Sequence, residues 1–170
     1  MEFYEVLSKR RSIRAYTDLP IPEDSLRRIT RAVLQAPSAC NRQPYRFLLV
    51  SGEAKNRILS VAPQAYLRDA PIIVVAVGEK SRAWQRPGDD HTLVELDLGI
   101  AMEHLVLAAA AEGLGTCWIA AFDVQDMNDE LELSGGDTVI AISPLGYPAE
   151  EPRIFQRGKS EQDLFIEINK

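Results

Sequence analysis

The chain has 170 residues, 46% of them hydrophobic and 26% charged, with a formal net charge of −6. That length is one domain's worth (residues 1–170) and enough to bury a core, and the hydrophobic content excludes a disordered chain. The acidic balance argues against a nucleic-acid partner, which is met by a basic surface.

Glu2 to Ser8 predicts a short helix, with Phe3, Val6 and Leu7 on one side at helical spacing. After a Pro-punctuated loop, Pro22 suits the first helical position, with Glu23 and Asp24 in the first turn. Leu26, Ile29, Val33 and Ala36 then mark an amphipathic helix that must stop before Pro37. Phe47 to Val50 is an apolar run closed by Ser51-Gly52, the pattern of a buried strand. Ala54 to Val61 predicts a helix, and Pro71 to Val77 a strand rich in β-branched residues. Lys80 to Asp90 is polar, contains Trp84 and Pro87-Gly88, and reads as a mobile loop or lid at a substrate entrance.

Thr92 to Glu112 predicts a long helix, apolar on most sides and therefore buried in the core or against a second subunit. Gly113 is its natural stop. Thr116 to Ala120 is expected as a strand, Asp123 as the cap of a helix ending near Ser134-Gly135-Gly136, and Thr138 to Ile142 as a further strand. A turn is expected at Gly146-Tyr147-Pro148, and a last strand, with nothing obvious to pair with, at Leu164 to Ile168. Helices and strands are mixed, with helical crossovers between apolar strands, which makes a layered α/β or α+β domain. The most apolar run, Leu93 to Leu114, contains Glu95, Asp97, Glu103, His104 and Glu112, which argues against a membrane span. No basic region followed by an apolar stretch opens the chain, and its two cysteines lack metal or disulfide spacing. A cytoplasmic, reducing location is the expectation.

Three stretches carry candidate chemistry. Arg10, Arg11 and Arg14 surround Ser12, and guanidinium groups offer a phosphate charge-assisted contacts in fork geometry. Alone, the run reads more simply as a solvated basic turn at a helix end. No Gly-x-Gly-x-x-Gly or Walker-type loop follows a strand, so a phosphorylated cofactor would need side chains to hold its phosphate. Ala36 to Tyr45 places Ser38, Asn41 and Gln43 between two prolines, either a helix-ending loop or a set of fixed donors and acceptors. Gly113-Leu114-Gly115 suits a cap and tight turn. His91 and His104 have no partner at metal spacing, and His104 is expected as a satisfied core or interface histidine. Cys40 and Cys117 are expected as small buried fillers. No metal site and no side-chain nucleophile, acid or base stands out.

Together, in this order and spacing, the three stretches resemble the nitroreductase family of FMN-dependent oxidoreductases, from Phe3 to Gly146-Tyr147-Pro148. The resemblance implies an α+β sandwich, a central and mostly antiparallel sheet flanked by helices, in a homodimer with each flavin at the interface. It implies ping-pong hydride transfer from NADH or NADPH through flavin N5 to a small electron-poor acceptor, a nitroaromatic or a quinone. By resemblance, Arg10 and Arg14 approach the FMN phosphate, and Arg11 and Ser12 the phosphate or ribityl chain. Pro37, Ser38, Asn41 and Gln43 are carried over as flavin contacts. Ala120 and Ala121 match the strand end whose backbone N–H meets N5. Arg157 best matches a further phosphate contact, with Arg153 and Lys159 as neighbours. Tyr45 stands where the family usually has Trp, the Ala pair where Gly is common, and Ile154-Phe155-Gln156 where a proline-and-basic-rich stretch is usual. The alternatives are a non-catalytic flavin-binding protein, or a reductive dehalogenase or flavin-breakdown relative on the same fold, which usually needs a longer lid than Lys80–Asp90.

Overall fold

A computed structural model describes every residue except Met1 and residues 152–155, 166–167 and 169–170. Its centre is a sheet of β1 (Tyr45–Ser51), β2 (Ile72–Glu79), β3 (Gly115–Thr116) and β4 (Asp137–Gly146). The strands lie in the order β1-β2-β4-β3, every pair antiparallel. Alternation along β2 sorts the core into two layers. Ile73, Val75 and Val77 meet Ile58 of α3 (Lys55–Val61) and Met127 of α5 (Val124–Glu130). Val74 and Ala76 face the other side, where Ile29 of α2 (Glu23–Val33) and Leu98, Met102 and Leu105 of α4 (Val94–Ala111) pack. Covered on both faces, β2 reads as an unbroken apolar run, and the expected α+β sandwich is what forms.

Helix α4 organises the second layer. α2 runs antiparallel to it: Ser25 Oγ and the Arg28 guanidinium donate to the Glu112 carboxylate at one end, at 2.9 and 2.6–2.7 Å. Further along, His104 Nδ1 donates to the Ala32 carbonyl at 3.0 Å, so His104 is the satisfied histidine expected. Gly113 closes α4 with a left-handed φ of 76°; its N–H donates to Ala110, and that of Leu114 to Ala109. The outward face of α4 keeps an apolar stripe, with Leu96 58% exposed and Ile100 and Leu107 half-buried. Beside α4 packs α1 (Phe3–Lys9), with Phe3 and Tyr4 exposed. Among the described residues, no helix is long and apolar enough to cross a membrane.

Several boundaries differ from expectation for local reasons. The strand expected over Thr116–Ala120 pairs only through Thr116 and again at Ile119 opposite Ile142, in unchanged register. Between them the Cys117 N–H donates to Ser143 Oγ at 3.1 Å, and Pro144 has no N–H to offer. The turn expected at Gly146–Pro148 is extended chain, because the segment around Tyr16 pairs with it: Thr17 N–H donates to Tyr147 and Ala149 N–H to Ala15. α2 ends at Val33, the chain reaching Pro37 through tighter turns that leave Ala36 buried. α5, capped by Asp123 as expected, ends at Glu130. Leu164 closes a short helix, α6 (Glu161–Leu164), not a strand. Ser160 and Asp163 cap each other there, and the rest of the expected strand lies partly outside the described residues.

Candidate functional site

The arginine segment is built onto the open edge of the sheet. The Arg10 N–H closes α1 on the Val6 carbonyl at 2.8 Å. Arg11 Nη1 donates to the carbonyls of Ser8 and Arg10 at 2.6 and 2.7 Å. Ser12 bridges to Thr116 in parallel sense, and Ile13 N–H donates to the Thr116 carbonyl at 2.9 Å. This approach depends on Gly115, where a Cβ would stand 2.6 Å from Ile13 Cγ1. The result is a cleft of about 400 Å³ lined by Arg10, Arg11, Ser12, Arg14 and Arg157, with Leu7, Ser8 and Gln156. No carboxylate lines it, and Arg10, Arg14 and Arg157 have no ion-pair partner among the described residues. Four guanidinium groups around hydroxyls and an amide repel one another unless an anion sits between them, so the donor set fits a phosphate. Arg157 lines the same cleft as the Arg10–Arg14 segment. Lys159 is exposed and outside this lining, and Arg153 lies outside the described residues.

The second stretch forms a turn around Ala39–Asn41, with left-handed φ at Cys40 (51°), Asn41 (53°) and Gln43 (46°). Such angles cost energy for residues with a Cβ and persist only where the surroundings over-determine them. Three contacts do so here: Gln43 N–H donates to Ser38 Oγ at 2.9 Å, Ala39 N–H to Asp97 Oδ1 at 2.9 Å, and Arg42 Nη1 to the Ala83 carbonyl at 3.0 Å. Pro37 and Asn41 are exposed and Gln43 is half-buried. Cys40, expected as a buried filler, is exposed on this turn because its left-handed position is at the bend; Cys117 is the buried thiol. Asp97 is the residue the sequence pattern did not single out. It is 2% exposed, and its Oδ2 and the Tyr45 hydroxyl are both buried without a partner among the described residues. Burial, and then the Asp97 charge, push the Tyr45 hydroxyl pKa up. The visible signal was an acidic residue early in an apolar helix.

Ala120 and Ala121 are exposed, just past the Ile119 bridge, and the Ala121 carbonyl accepts from Gln64 Nε2 at 2.8 Å. Four extended residues, about 13 Å, separate Thr116 beside the arginine segment from Ala120. The Ser38–Gln43 loop lies elsewhere. It is fastened to Asp97 near the start of α4, whereas the arginine segment borders β3 just beyond its end. Asp97 to Ala111 is roughly 21 Å of helix. The sheet gives a similar figure: Tyr45 stands opposite Gly78, while Gly115 stands opposite Gly146 beside Leu145, the partner of Ile72, so the two ends are about 20 Å apart along β2. Within one chain the two sets of candidate contacts are at opposite ends of the sandwich.

The nitroreductase family model matches residues 7–68 and 59–147. The chain belongs to the nitroreductase family. A nitroreductase family protein from Clostridium difficile 630 superposes on it with a TM-score of 0.84 at 30% identity, covering 91% of this chain and 88% of the other. An NADH dehydrogenase of Thermus thermophilus is 31% identical over 182 residues, 84% of this chain and 85% of its own. An FMN reductase (NAD(P)H) of Bacillus subtilis is 30% identical over 186 residues, 97% of this chain and 75% of its own.

In this family member the Lys80–Asp90 segment is tied down more than an open lid would be. It starts with a tight helical turn, Lys80–Arg82, and closes as a narrow loop through Gln85 opposite Thr92. Arg86 N–H donates to the His91 carbonyl and Leu93 N–H to that of Trp84. Trp84 is half-buried and faces a second, larger cleft, while His91 is exposed. Among the described residues no group of His, Cys, Asp or Glu side chains is arranged to hold a metal ion.

Proposed function

We propose that the chain is an FMN-dependent NAD(P)H oxidoreductase working as a homodimer, with each flavin site shared between two protomers. The carboxylate-free cleft of Arg10, Arg11, Ser12, Arg14 and Arg157 carries the reading, because it asks for an anion and offers charge-assisted contacts from several sides. Arg10, Arg14 and Arg157 would hold the phosphate, and Arg11 and Ser12 the phosphate or the start of the ribityl chain. The main chain of Ala120 and Ala121 would border the ring.

Ribityl hydroxyls lie within a few bonds of the phosphate. Ser38 and Asn41 of the same chain stand about 20 Å from the arginines and cannot reach them. A second copy supplies that loop if the two chains meet through the outward stripe of α4, where Leu96 is exposed and Ile100 and Leu107 are half-buried. Pro37, Ser38, Asn41 and Gln43 then serve the partner's flavin. Bound there, FMN supplies ping-pong hydride transfer by way of N5, from NADH or NADPH to an electron-poor acceptor such as a nitroaromatic or a quinone. The names of the Thermus and Bacillus relatives point the same way. The protein's share of the work is to hold the phosphate, orient the ring and exclude water, and no side-chain acid or base is required of it.

The test is an absorbance spectrum of purified protein, followed by anaerobic titration with NADH and NADPH. The expected result is a flavin spectrum, FMN on release, and bleaching by at least one donor. FAD on release, or an FMN-loaded protein that neither donor bleaches, contradicts the proposal.

A further inference from the structure

The cleft beside Trp84 is left unused by the flavin assignment. Its volume is about 840 Å³, and its lining includes Arg42, Lys80, Trp84 and the Gly135-Gly136 turn together with one carboxylate, Asp90, which accepts from Gln85 Nε2 at 3.2 Å. On a chain of net charge −6, its two cations stand apart from their neighbours. Arg46, Arg82 and Arg86 each pair with a carboxylate, whereas Arg42 and Lys80 have no ion-pair partner among the described residues. Arg42 is held in place through the Ala83 carbonyl, and a guanidinium that gives one donor to that bond retains others. Gly135 and Gly136 both take left-handed φ, 71° and 85°, and neither N–H meets a backbone acceptor among the described residues. Successive free N–H groups in such a turn suit an anion. Trp84 adds a half-buried aromatic surface to the same cleft.

A pair of unpaired cations, a backbone turn open to an anion and an aromatic wall together fit a nucleoside diphosphate. Arg42 stands between Asn41 and Gln43, so the cleft adjoins the loop expected at the flavin. We propose that it binds the adenosine diphosphate half of the nicotinamide donor, an assignment that rests on the oxidoreductase reading above. Arg42, Lys80 and the glycine turn take the pyrophosphate, and the adenine lies against the Trp84 indole.

The test is calorimetric titration of the FMN-loaded protein with ADP-ribose, which carries the donor's adenosine diphosphate but no nicotinamide and undergoes no redox step. Wild type is expected to bind it, with affinity falling as salt rises, and Lys80→Ala and Arg42→Ala each to weaken it about tenfold or more. Lys80→Ala leaves the Arg42–Ala83 contact intact, so its effect reports the charge and not a loosened loop. Absence of binding to wild type, or equal affinity in wild type and both variants, overturns the site. If flavin is still reduced by NADH in that case, the oxidoreductase reading survives. Conversely, ADP-ribose binding that depends on both residues in a chain taking up no FMN supports the cleft and contradicts the oxidoreductase reading.

Discussion

Gly115→Ala tests how the arginine cleft is supported. Gly115 does not have a left-handed φ, so the cost of a side chain there is steric. The new Cβ would stand 2.6 Å from Ile13 Cγ1 and 2.8 Å from Ile13 Cβ, separations that force one of the two segments to move. Ile13 is 6% exposed and its N–H is bonded to Thr116, so it has little room to yield. Overpacking of this kind costs about 1–3 kcal/mol. The displaced segment is the one that presents Ser12 and Arg14, so FMN affinity should fall along with stability. Denaturant unfolding with and without Ile13→Gly, which removes the Cβ as well as both Cγ atoms, gives the coupling directly: the added methyl should cost less by about 0.5–3 kcal/mol once the Ile13 side chain is gone. Titration with FMN and riboflavin gives the functional half, with the loss confined to FMN. A stable Gly115→Ala protein with wild-type FMN affinity, or strictly additive stability effects, would refute the idea that Gly115 exists to seat the arginine segment.

Three further outcomes follow from the same geometry. Arg14→Ala should weaken FMN by about 1.5–3 kcal/mol, tenfold or more, while riboflavin, lacking the phosphate, binds both proteins equally poorly; equal losses for both flavins would make Arg14 structural. Asp97→Ala leaves the Ala39 N–H without its acceptor and should destabilise the protein by about 1–3 kcal/mol, whereas Asp97→Asn keeps an acceptor and recovers most of it; equal unfolding midpoints for the two would dismiss this anchor. Arg28, by hydrogen bond first, holds the Glu112 carboxyl below its ordinary 4.5, so the pair's stabilisation is present above that value and lost as pH falls through the lower folded one. Melting temperature should therefore drop less between pH 5 and pH 3 in Glu112→Gln than in wild type, and parallel curves would count against it.

Much of the architecture was legible because burial shows in composition. Ile72 to Val77 is apolar on consecutive positions since both its faces are covered, and Gly113 ends α4 because only a left-handed residue lets the chain turn there. What the sequence hid were effects of partners distant along the chain. Gly146 to Pro148 carries turn residues, yet the segment around Tyr16 pairs with it and holds it extended. Gly115 looked like part of a tight turn, but its missing side chain makes room for Ile13, about a hundred residues earlier. In the candidate site, the arginines and the Ser38–Gln43 loop were visible as motifs, and Arg157 was suggested only through the family resemblance. That they lie at opposite ends of one protomer depends on the antiparallel course of α2 and α4, which no local pattern encodes. Asp97 was masked for the same reason: its role is set by the Ala39 N–H, 58 residues earlier in the chain.

The shared flavin site is tested most directly by mixing protomers. On the proposed arrangement, Arg14→Ala disables the arginine cleft and Asn41→Ala the loop, so a homodimer of either would have two damaged sites. In a mixed dimer, one site combines both defects and the other draws its arginines from the Asn41→Ala chain and its loop from the Arg14→Ala chain, both intact. Differently tagged chains, refolded together and purified as the mixed species, should bind one FMN per dimer with wild-type affinity. Two weak sites and no tight one would mean that each flavin is held within a single chain, and would contradict the account.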